Sequence, residues 1–78
     1  MLKKEEKLII TFHTTADAMA MEKMCKKNSL PGRLIPVPRE ISAGCGLSWA
    51  APPGEKESLE TAMEKSAIKP QEIHILII

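Results

Sequence analysis

Leu8-Ile9-Ile10-Thr11-Phe12-His13-Thr14-Thr15-Ala16-Asp17 runs from one kind of structure into another with almost no loop between them. Residues 8–13 form a near-continuous apolar, β-branched run, which suits a strand at the centre of a sheet. Thr14 can then cap a helix, and Asp17 three residues later completes the capping-box spacing with Asp in place of the commoner Glu. A helix is expected over residues 15–27. At 100° per residue Ala18, Ala20, Met21, Met24 and Cys25 share one face, while Glu22, Lys23, Lys26 and Lys27 lie opposite; only Met19 falls on the polar side. Methionines at this spacing read as core filler, and a thiol on the same apolar face should be inert.

Working outward, Asn28-Ser29-Leu30-Pro31-Gly32 stops the helix. Residues 33–37 read as a strand whose proline puts it at a sheet edge. Residues 47–51 read as a third strand, ended by Pro52-Pro53-Gly54. A second amphipathic helix is expected over about residues 55–66, with Leu59, Ala62, Met63 and Ser66 on its inner side. Residues 73–78 are so apolar that both faces must be covered or one must meet another subunit.

The order β-α-β-β-α-β predicts an α+β fold: a ferredoxin-like βαββαβ sandwich, with a four-stranded antiparallel sheet in order 4-1-3-2 and two helices on one face. In that topology the end of the first strand, the start of the first helix and the connection between strands two and three meet at one sheet end. His13, Thr14, Thr15 and Cys45, with His74 as a weaker candidate, should therefore converge.

The connection itself is the least generic stretch: Pro36-Val37-Pro38-Arg39-Glu40-Ile41-Ser42-Ala43-Gly44-Cys45-Gly46. Gly44 and Gly46 strip side-chain cover from Cys45 and allow unusual backbone angles, so its thiol should be exposed. Arg39 adds a fixed charge and Ser42 a hydroxyl, and a helix start supplies unpaired N–H donors; together these suit a thiolate, a persulfide or a small anion.

Composition narrows the classes. At 78 residues, 44% hydrophobic and 27% charged, the chain is one small globular domain spanning 1–78, for which a partner chain would be helpful. A net charge of +1 steers neither nucleic acid nor an acidic membrane, and Phe12 and Trp49 are too few aromatics for an RNA-stacking sheet. The charged start at residues 1–7 does not read as a signal peptide, no run approaches membrane-spanning length, and both cysteines are expected free in the cytoplasm.

The strings Ile10-Thr11-Phe12-His13-Thr14-Thr15-Ala16-Asp17-Ala18-Met19 and residues 31–46, above all Pro-Arg-Glu-Ile-Ser-Ala-Gly-Cys-Gly, resemble the selenium/sulfur (Se/S) carrier protein-like family of small bacterial proteins. The resemblance spans nearly the whole chain and implies a Cys-dependent carrier role for Cys45, with donor and acceptor proteins as partners. The Cys-Pro-x-Pro helix start of better-known sulfur-transfer proteins is missing, so their mechanism does not carry over.

Three functions compete. The first is a non-enzymatic sulfur or selenium carrier that needs no cofactor, with Cys45 as persulfide-type acceptor and His13, Thr14, Thr15, Arg39, Ser42, Gly44 and Gly46 around it. The second is a metal- or redox-ligand module built from Cys45, His13 and His74. The third is a small oligomerisation or regulatory domain, with a homodimer, or docking to a larger partner, expected through the last strand.

Overall fold

The computed structural model describes residues 5–41 and 45–77. Its elements are β1 (Glu6–Thr11), α1 (Thr15–Lys27), β2 (Arg33–Pro36), β3 (Leu47–Ala51), a 3-10 turn (Pro53–Glu55), α2 (Lys56–Lys65) and β4 (Glu72–Ile77). All strand pairs are antiparallel, in the order β2-β3-β1-β4, which is the expected ferredoxin-like arrangement. β2 lies at one edge, as its proline required, and β4 at the other.

Alternation along β1 assigns the two faces. Leu8, Ile10 and Phe12 join Ala18, Met21, Met24 and Cys25 of α1 and Leu59 and Met63 of α2 in one buried cluster. Burying a large apolar side chain such as Phe12 or Leu59 contributes about 2–3 kcal/mol, so this cluster is what holds the helices to the sheet. Ile9, Thr11 and Ser48 belong to the opposite phase and are also fully buried. There Thr11 Oγ1 accepts from the Glu72 N–H at 3.0 Å, and Ser48 Oγ donates to the Ile35 carbonyl at 3.4 Å. No polar side-chain atom among the described residues is buried without a partner.

α1 has the bounds expected for it. Thr14, in extended conformation, accepts a hydrogen bond from the Asp17 N–H at 3.1 Å. Both helices end in the same way. Leu30 N–H reaches back to Cys25 O and Ile68 N–H to Met63 O, each at 2.9 Å, with the intervening Ser29 and Ala67 at φ 55° and 58°. These are Schellman closures without glycine, held by the apolar residue that follows each left-handed position.

Several boundaries move. β1 runs over Glu6–Thr11 instead of 8–13, because the Thr11 carbonyl accepts from Gln71 N–H and the chain then bends at His13 toward the helix cap. β2 ends at Pro36, one residue short of the expected end. The 3-10 turn takes Glu55 from α2, since Pro53 starts a tighter turn where its missing N–H is not needed. β4 begins one residue earlier, and Ile78 lies outside the described residues. Ala20, placed on the inner face of α1, is exposed, as is Ser66 beyond α2; the rotational spacing is right, but neither helix is covered that far round.

β4 is only partly covered. Ile73, Ile75 and Ile77 pair with Ile10, Leu8 and Glu6 and so share the helix-side face. Ile73 packs on the core, but Ile75 is 51% and Ile77 62% exposed.

Candidate functional site: the cysteine at the exit of the β2–β3 loop

Strand register builds this end of the molecule. Thr11 pairs with Ser48 and Glu72, and Pro36 pairs with Leu47. The β1–α1 turn, the β2–β3 connection and the start of β4 therefore lie at one end of the sheet. His13, Thr14 and Thr15 are exposed there, and Thr14 already spends its hydroxyl on Asp17, leaving the N–H groups of Thr15 and Ala16 as first-turn donors without a partner among the described residues.

Pairing continues one step past β2, where Val37 N–H donates to Gly46 O at 3.0 Å and closes the loop at its base. Gly46 sits at φ +79°, a left-handed angle that lets the chain turn into β3, and a Cβ there would meet nothing within 4 Å. Arg39 is exposed in a turn closed by Ile41 N–H to Pro38 O at 3.0 Å, and Ile41 itself is buried. Ser42 and Gly44, expected beside the thiol, lie outside the described residues.

Cys45 corrects one expectation. It is half-buried and not fully exposed, packed against the helix-side core, and its Sγ donates to the Leu47 carbonyl at 3.5 Å. A small neighbour such as Gly46 removes cover along the chain but not the cover that comes from the core cluster Cys45 packs against. A thiolate has no proton to give to such a bond.

Cys25 is 1% exposed, and burial pushes its thiol up to about 11. It is the inert core cysteine expected from its helix face.

His74 does not join the site. It pairs with Ile9 in the middle of β4, on the face opposite the helix-side core that Cys45 packs against, and its Nε2 lies 2.9 Å from Glu72 Oε1. The ligand set Cys45, His13 and His74 is thus split across the sheet. Among the described residues no group of three or more His, Cys, Asp or Glu side chains is placed to hold a metal ion.

A family model described as "Putative Se/S carrier protein-like" matches residues 7–75. The chain belongs to this family. The match takes in all four strands' paired core, both helices and the loop carrying Cys45, so the family is a property of the whole fold and not of a short motif. No curated protein and no solved structure matches the chain. No helix among the described residues is long and apolar enough to cross a membrane.

Proposed function

We propose that this Se/S carrier-family protein carries sulfur or selenium on Cys45 between a donor and an acceptor protein in the cytoplasm, where thiols stay reduced. Family membership is the observation that supports this reading, and of the two cysteines only Cys45 lies outside the sealed core. In the loading step the Cys45 thiolate attacks the terminal sulfur of a donor persulfide. A new S–S bond forms at Cys45, the donor's S–S bond breaks, and the donor sulfur leaves with the electron pair as a thiolate. Delivery reverses the roles with the acceptor. The open N–H groups at the start of α1 lie at the same sheet end and suit the charge of a bound persulfide anion. His13 and Arg39 remain candidate neighbours of the carried group, with Gly46 setting the turn into β3.

Incubation with a cysteine desulfurase and cysteine is expected to add the mass of one sulfur atom to the protein. Cys45→Ser should gain none, while Cys25→Ala should load normally and lose stability instead. Loading of Cys45→Ser to the wild-type level would remove the carrier reading.

Two copies are proposed to pair through β4, whose outer edge has no strand partner among the described residues and whose Ile75 and Ile77 protrude. Sedimentation should show a dimer that Ile75→Lys with Ile77→Glu converts to a monomer of unchanged helicity. A monomer at every concentration in the native protein would contradict the pairing.

A further inference from the structure

The groove between α1 and α2 has a composition that neither the core nor the carrier chemistry requires. Its volume is about 600 Å³, with Met24, Ala62 and Ile68 along the floor and Lys23, Lys27 and Lys65 on the rim. Met24 and Ile68 are almost wholly buried, whereas the three lysines are exposed. Among the described residues none of these lysines is in an ion pair, and no acidic side chain lines the groove. The acidic residues Glu60 and Glu64 of α2 line a different depression, with Met63 and Pro70.

Lys27 and Lys65 sit in the last turns of their helices, where a cation is stabilised by the helix dipole. That accounts for two charges but not for Lys23, nor for all three bordering the same apolar trough.

We infer that this groove docks an acidic amphipathic helix of a partner protein, apolar side chains seated on Met24, Ala62 and Ile68 and carboxylates meeting Lys23, Lys27 and Lys65. Apolar anchors at helical spacing flanked by charges are the usual way a helix fills such a groove. Charge complementarity fixes the sign of the partner. Concavity argues against a lipid surface, because a planar layer of headgroups reaches the lysines but not the floor between the helices. The inference is independent of the chemistry at Cys45.

The test uses a synthetic helical peptide with leucines at i, i+3, i+4 and i+7 flanked by glutamates. A scrambled peptide of equal composition and vesicles containing anionic lipid serve as the other arms. Saturable binding of the designed peptide should perturb the Met24 and Ile68 methyl resonances and weaken as salt rises. Charge reversal at Lys23, Lys27 and Lys65 together should weaken it roughly tenfold or more. Ala20→Gln, at an exposed position on the groove wall, should weaken it without changing charge, and thermal melts of each variant confirm the fold. Cys45 loading should be unaffected by all of these. Equal binding by the scrambled peptide, perturbations elsewhere, or no saturable binding would overturn the inference. So would vesicle binding that the same charge reversal abolishes while peptide binding persists.

Discussion

Treated with a maleimide at about pH 8, the native protein should react at Cys45 roughly a thousandfold or more faster than at Cys25. Two factors multiply. Burial moves the Cys25 thiol from its ordinary value near 9 up to about 11, which alone lowers its thiolate fraction roughly a hundredfold. Being 1% exposed, it also waits for the core to open. Cys45 needs only to release Leu47 O, so it should react more slowly than free cysteine but well ahead of Cys25. Peptide mapping after timed quenching reads the ratio, and comparable rates at the two thiols would mean that the α1 packing is not as described. The same burial has a signed effect on stability. The unfolded Cys25 thiol ionises near 9 and the folded one near 11, so its contribution is whole below about pH 9 and is lost as pH rises through 11. The loss is at most about 3 kcal/mol. Cys25→Ala should lack that part of the alkaline limb in urea melts.

Gly32→Ala should destabilise the fold by about 4 kcal/mol, enough to leave much of so small a domain unfolded. A Cβ at Gly32 would collide with Trp49 Nε1 and lie 2.7 Å from the Ala50 carbonyl, on a backbone at φ +121°. Trp49 cannot give way easily, because it is buried in the core cluster and its indole N–H donates to Pro31 O at 3.2 Å. Gly46→Ala is the control: its φ of +79° carries strain, but the space is open, so about 1 kcal/mol is expected. Urea denaturation followed by Trp49 fluorescence measures both. Equal small losses would show that the junction beside Trp49 yields.

Features written into neighbouring residues were legible before the structure. Thr14 with Asp17 at one end and Asn28 to Gly32 at the other set the limits of α1, since caps and terminators act over a few residues. Strand order followed from the alternation of elements and their lengths. The cover over Cys45 and the position of His74 were missed for a different reason. His74 could have been read from period-two phasing, since it is out of step with Ile73, whereas Cys45 lies beyond the turn at Gly46, where phasing with β3 ends. What no local pattern carries is the approach of Gly32 to Trp49, made across the β2–β3 pairing. The exposure of Ala20 likewise depends on where α2 lies, which the periodicity of α1 does not contain.

The placement of β1 also sets an order of events when the chain folds. Its neighbours β3 and β4 both come from much later in the chain, and Thr11 bonds Glu72 across 61 positions. Among the described strands only β2 and β3 are joined by a short loop, so that hairpin can form before the long closures that bring in β1. In that hairpin alone Cys45 has no Leu8–Ile10–Phe12 side of the core to pack against. The cover that Cys45 has in the finished fold therefore rests on pairings made across most of the chain, and that protection is expected to arrive late, with β1.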